Sequence, residues 1–139
     1  NWAQLDAMLG QLEADPRPAR ACIAALFAAV CGESRRTMAE CGKILGCRIG
    51  TIASEIGSAE SAAQARSVAA FEGWRRSLRR LVRRGQEDGS IDPELDAVAA
   101  ADALLALVQG MSVLGRALHQ PAVLKRIAAA AMQQIPEPA

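Results

Sequence analysis

Between Ala97 and Gly115 the chain carries only three polar side chains, Asp102, Gln109 and Ser112. A helix on the surface of a folded monomer shows one apolar stripe and one polar face. A helix that is apolar nearly all round has two sides to cover, so this segment constrains the whole molecule. A membrane would cover it, but the run is short, rich in alanine and interrupted by Asp102 and Gln109, whereas a span takes about 20 strongly apolar residues. The expectation is therefore no membrane. One side meets the chain's own core and the other meets a second copy, with Ala100, Ala101, Ala106, Gly110 and Gly115 allowing close helix approach. The competing reading is an unusually well-buried central helix of a monomer.

The rest of the chain reads as helices of the ordinary amphipathic kind. Trp2, Leu5, Met8, Leu9 and Leu12 recur at helical spacing, and Asp15-Pro16 is read as cap and first residue of a second helix. That helix carries Cys22, Ile23, Leu26, Phe27, Val30 and Cys31 on one stripe and is expected to end at Gly32. The polar stretch from Glu33 to Gly42 has no clear pattern, although Met38 points to an inward position. Ile49, Ile52, Ala53 and Ile56 share a helical face with Gly57 as terminator. A β-strand competes there, but no second strand offers itself for pairing. A long helix then runs to Asp88 from a cap at Ser58 or Ser61, with Val68, Phe71, Trp74, Leu78, Leu81 and Val82 as its stripe. Gly89 closes it, Asp92-Pro93 is expected to open the apolar helix, and Gln120-Pro121 separates a sixth helix bearing Val123, Leu124, Ile127, Ala128, Ala131, Met132 and Ile135. A frayed Pro136-Glu137-Pro138 tail follows. The fold class is all-α, a six-helix orthogonal array whose last two helices would form a four-helix bundle with those of a second copy. Residues 1–139 make one domain, divided into a sensor core over 1–90 and a dimerising pair over 91–135.

The six arginines from Arg75 to Arg84 form i, i+4 rows. A nucleic-acid surface is the sharp reading. With a net charge of +1 and no interleaved aromatics, a solvated face paired in part with Glu72, Glu87 or Asp88 is the better one. The four cysteines (Cys22, Cys31, Cys41 and Cys47) lack metal-type spacing, which points to reduced thiols in the cytoplasm. No secretion signal opens the chain, and its start at Asn1 rather than Met is consistent with an upstream part removed or left out. His119 reads as a helix-end or surface residue. Asp102 either bonds across the dimer or faces a ligand cavity. No nucleophile–base set, phosphate loop, paired carboxylates or metal cluster is legible, so no enzyme, cofactor or metal is expected.

Three stretches together resemble the C-terminal domain of TetR-family transcriptional regulators. They are Gly46-Cys47 running into Ala53-Ser54-Glu55-Ile56-Gly57; Phe71-Glu72-Gly73-Trp74 leading to Gly85-Gln86-Glu87-Asp88-Gly89-Ser90-Ile91-Asp92; and Ala103-Leu104-Leu105-Ala106-Leu107-Val108-Gln109-Gly110-Met111. The resemblance implies an effector-sensing core followed by a dimerising helix pair, with operator DNA read only through an N-terminal helix-turn-helix that this chain does not include. The expected ligand is small and largely apolar, held near Phe27, Cys31, Met38, Cys47, Ile52, Trp74, Leu78 and Met111. The expected homodimer interface is Ala101, Leu105, Val108, Ser112, Leu124, Ala128 and Ala131. A helical interaction module without ligand is the alternative, as is an electrophile sensor at Cys47, whose thiolate Arg48 or a helix N-terminus would favour.

Overall fold

The computed structural model describes residues 2–47 and 62–139. Five α-helices and no strand occur among the described residues: α1 (Trp2–Ala14), α2 (Ala19–Cys41), α3 (Ala62–Asp88), α4 (Ala97–Leu118) and α5 (Pro121–Gln133). The helix expected around Ile49 to Ile56, with Ile52 on it, and the caps at Ser58 or Ser61 lie outside the described residues. Gly46 and Cys47, just before that segment, are not helical.

Helix α4 lies at the centre, packed on α3 and α5, while α2 crosses α3 and α5 and α1 rests on α2 and α3. Their shared core contains Leu9, Ile23, Leu26, Phe27, Trp74, Leu78, Leu81, Leu104, Met111, Leu124 and Ile135, all fully buried. The expected stripe of α3 is buried from Trp74 to Val82, but Val68 near its start is exposed. By length and composition α4 is apolar enough to cross a membrane, with a mean hydropathy of 1.8 over its most apolar stretch. The sequence argument that the run is too short is therefore corrected, and what marks α4 as a domain helix is its packing on two neighbours.

Three helix boundaries differ from the sequence expectation, each for a physical reason. Asp15 does not cap α2; its carboxylate instead accepts hydrogen bonds from the Arg17 N–H at 2.9 Å and the Arg17 guanidinium. That guanidinium holds the Asp15 carboxyl at about 2. The first N–H groups of α2 find partners far along the chain. Ala19 N–H donates to Asp88 Oδ2 at 2.8 Å and Arg20 N–H to Ser90 Oγ at 3.2 Å, so the end of α3 caps the start of α2. Gly32 does not end α2, which continues to Cys41 and stops at Gly42 in the left-handed conformation, φ 69°. Asp92-Pro93 does not open α4: Asp96 does, accepting from Val98 N–H and Ala99 N–H at 3.0 and 3.1 Å, while Asp92 accepts from Glu94 N–H in a local turn.

The turn after α3 shows why its glycines stand where they do. Gly89 takes φ 82°, and the N–H groups of Ser90 and Ile91 return to Gly85 O at 2.9 Å, a helix stop that satisfies otherwise orphaned carbonyls. Ile91 is thereby folded onto Gly85 so closely that a Cβ at Gly85 would overlap its side chain. The expected frayed tail is tied down as well. Ile135 is fully buried, its carbonyl accepts from Arg20 Nε at 2.8 Å, and Pro136 O accepts from Asp92 N–H at 2.8 Å.

Two outcomes follow from these boundaries. Gly32 lies inside α2 with open space where a Cβ would stand, so Gly32→Ala is expected to raise unfolding stability by about 0.5–1 kcal/mol in urea titration. Asp88→Asn weakens the remote cap and should cost about 1 kcal/mol at neutral pH. Burial works against the charged Asp88 carboxylate, but hydrogen bonds from Ser90 and the Ala19 N–H outweigh it and hold the carboxyl below its ordinary range. A lowered folded-state pKa gives stability that is present at neutral pH and lost as pH falls through that pKa. The gap between wild type and Asp88→Asn should therefore narrow below about pH 4.

Candidate functional site

A cavity of about 310 Å³ opens between α1, α2, the chain from Ile44 to Cys47, and α4. Leu5 and Met8 of α1 form one wall, and Val30, Ser34 and Thr37 of α2 another. Val108, Gln109, Met111 and Ser112 of α4 form the third. The volume sits at the low end of the range for small-molecule sites, about 300–1,000 Å³.

The cavity's polar groups are unequally satisfied. Ser34 donates its hydroxyl proton to Val30 O at 2.9 Å, and Thr37 donates to Ser34 O at 3.2 Å. Each keeps lone pairs that can still accept. Gln109 has both amide atoms buried without a hydrogen-bond partner, a condition that costs about 1–3 kcal/mol for a buried polar group. The rim carries Glu33, exposed and already paired with Arg36 at 2.6 Å. On the loop side the Ile44 N–H donates to His119 Nδ1 at 3.0 Å. His119 is the left-handed residue that stops α4, φ 51°, so the end of that helix holds the chain segment that walls the cavity.

The C-terminal end of the wall made by α1 is fastened by charged and carbonyl contacts. Arg84 donates to Leu12 O, Glu13 O and Arg17 O at 3.4, 2.7 and 3.3 Å. Arg80 makes a two-bond pair with the Glu13 carboxylate at 2.8 and 3.0 Å. Arg80 thereby lowers the Glu13 carboxyl below its ordinary value. Arg75 does the same for Asp102, bonded at 2.7 and 3.0 Å. Asp102 does not line the cavity; it joins α4 to α3 through Arg75. Three of the row, Arg75, Arg80 and Arg84, tie the chain together: the expected Glu72 pairs with Arg75 at 2.9 Å, and Glu13 and Asp102, on other helices, are partners the sequence did not point to.

Of the expected ligand residues, Cys47 and Met111 line the cavity. Phe27, Trp74 and Leu78 are closed into the core, and Cys31 and Met38 are half-buried against it without lining the cavity. Ile52 lies outside the described residues. Burial pushes the Cys31 thiol up, the opposite of what a reactive thiol needs. The sequence reading missed Leu5 and Met8, which look like ordinary core positions. It also missed Gln109, whose signal was present as a polar residue in an apolar helix.

The residues expected at a dimer contact are mostly covered by the chain itself. Ala101, Leu105, Val108, Leu124 and Ala131 are buried in the core, and Ser112 and Ala128 are half-buried. The outward side of α4 instead shows Val98, Ala106 and Val113, with Leu114 and Leu118 beside them. Val113 is 58% exposed where Val108 is 4% exposed. Among the described residues no group of histidine, cysteine and carboxylate side chains is placed to hold a metal ion.

The model of the family described as "Tetracyclin repressor-like, C-terminal domain" matches residues 22–131. A TetR transcriptional regulator from Chloroflexus aurantiacus superposes with a TM-score of 0.75 at 23% identity, over 98% of this chain and 71% of that one. A TetR-family transcriptional regulator from Cytophaga hutchinsonii superposes with a TM-score of 0.73 at 16% identity, over 96% of this chain and 65% of that one. At these identities the likeness is one of fold. No curated protein matches the sequence.

The fastening of α1 is open to test by substitution. Arg84→Met removes three bonds to carbonyls and one to the Cys22 sulfur from a charged donor and should cost about 2 kcal/mol in denaturant unfolding, with faster hydrogen exchange along α1. Glu13→Gln breaks a largely exposed pair and should cost no more than about 0.5 kcal/mol.

Proposed function

Because the chain belongs to the tetracyclin repressor-like (TetR) family, as one of its C-terminal domains, we propose that it is the effector-sensing and dimerising part of a transcriptional repressor. Regulators of this family are transcription factors rather than enzymes, and the domain's work is to bind, not to react. Residues 1–90 sense and residues 91–135 dimerise. The protein acts in the cytoplasm as a homodimer, and operator DNA is read by a helix-turn-helix preceding α1 in the full-length regulator.

The observation that carries this reading is the cavity with α1 as a wall. A small, largely apolar molecule entering it presses on Leu5 and Met8, while Arg80 and Arg84 hold the far end of α1 at Leu12 and Glu13. A helix pushed at one end and held at the other tilts. Binding then favours one tilt over another, and two such helices in a dimer change the spacing of the heads that meet DNA half-sites. A ligand-free interaction module would have no use for an open cavity.

The dimer is built on the outward side of α4 together with α5, giving a four-helix bundle about a two-fold axis. Its contact shifts from the residues first expected to Val98, Ala106, Val113, Leu114 and Leu118, because these apolar residues lack cover within one chain.

Crystal structures of the free and ligand-saturated chain, superposed on α3 and α4, test the sensor mechanism. The expected result is a displaced α1 N-terminal half with the Arg84 contacts kept. Identical α1 positions in the two forms would falsify it.

A further inference from the structure

We propose that the segment from Ile44 to Cys47, which walls the cavity, is held on α4 by a proton-controlled latch: neutral His119 keeps it docked and protonated His119 releases it. The proposal goes beyond the sensor reading and does not depend on what the cavity binds.

The latch is one hydrogen bond, from Ile44 N–H to His119 Nδ1 at 3.0 Å. A ring nitrogen accepts only while it carries no proton, so this bond requires the neutral imidazole with its proton on Nε2. In the imidazolium both nitrogens are donors, and the Ile44 N–H then meets an N–H in place of a lone pair. The backbone fixes where the ring is rooted. His119 is the one non-glycine residue with a positive φ among the described residues, 51°, and its N–H closes the last turn of α4 on Gly115 O at 2.9 Å. Histidine is one of the few side chains enriched in that conformation.

The segment fits α4 closely beside this bond. Ile44 is 3% exposed and lies on Gly115, where a Cβ would come within 2.9 Å of its Cγ2. A Cβ at Gly46 would stand 2.8 Å from Ser112 O. Ile44, Leu45, Gly46 and Cys47 all line the cavity, so releasing the bond loosens a wall.

Among the described residues, the charged side chains on the elements that meet there are Lys43 beside Ile44, Arg116 in the last turn of α4, and Lys125 and Arg126 on α5. Glu40, near the end of α2, is bonded to Arg36 at 2.6 Å. The terminal carbonyls of α4 favour an imidazolium, so the protonated ring has a place at the helix end that needs no Ile44. Docking uses the neutral ring; it is therefore strongest at high pH and weakens as pH falls through the imidazole range, about pH 8 to 5.

NMR of the whole chain across that range tests the latch. His119 is the only histidine in the sequence, so the imidazole resonances report its protonation directly. Protection of the Ile44 amide, corrected for the intrinsic pH dependence of exchange, is expected to fall about fivefold with the same midpoint as the ring. His119→Asn suits the left-handed backbone, offers a carboxamide oxygen near the place of Nδ1 and does not titrate. It should keep Ile44 protected at both ends of the range. His119→Ala removes the acceptor and should leave Ile44 equally unprotected at both; circular dichroism establishes that the variants fold. Ile44 protection that ignores the His119 titration in wild type, or that still varies with pH in either variant, overturns the proposal and leaves the sensor reading untouched.

Discussion

Helix α4 carries apolar side chains on two opposite faces, and a single chain has core enough for only one. Its inward face, Ala101, Leu104, Leu105, Val108 and Met111, is buried against the neighbouring helices. Turning that face inward commits the other, with Val98, Ala106 and Val113, to the outside. The same rotation brings Asp102 to Arg75 and Gln109 to the cavity. One choice of helix phase thus decides the core, the outward surface and which residues of α4 wall the cavity.

The remainder of the domain is built around that central helix by contacts distant in sequence. Asp88 and Ser90, at the turn where α3 gives way to the approach to α4, complete the N-terminus of α2. Arg20 on α2 in turn bonds the carbonyls of Met132 and Ile135 at the end of α5. Arg84 secures the end of α1. Each of these satisfies backbone groups that a helix end would otherwise leave unpaired. They fix the frame on which the half of α1 that covers the cavity rests.

The amphipathic stripes of the helices were legible in the sequence because a 3.6-residue period is local information. Gly89 as a stop and the break at Gln120-Pro121 were legible for the same reason. Helix starts were not, because Asp15-Pro16 and Asp92-Pro93 have the chemistry of caps but spend it on local turns. The partner that caps α2 is 69 residues away. Gly32 was misread because a glycine's bias against helix is worth about 1 kcal/mol, less than the packing of Phe27 and Thr37 on either side of it provides. Ala101, Leu105 and Val108, expected at a dimer contact, are buried within the chain, a phase the sequence could not show since a helix apolar all round has no polar face to mark it. At the site, Cys47 and Met111 were found, whereas Leu5 and Met8 were hidden as core-like residues. Gln109 is visibly polar in an apolar helix, but that both its amide atoms are buried and unpaired is not local information.

Sedimentation equilibrium of the wild-type chain and of Val113→Arg tests the division of α4 between two coverings most directly. Val113 is outward, so the substitution should leave the helical content and melting of a single chain nearly intact while converting a dimer to a monomer. A wild-type chain that sediments as a monomer, or a Val113→Arg chain that stays dimeric, would contradict the assignment of that face to a second copy.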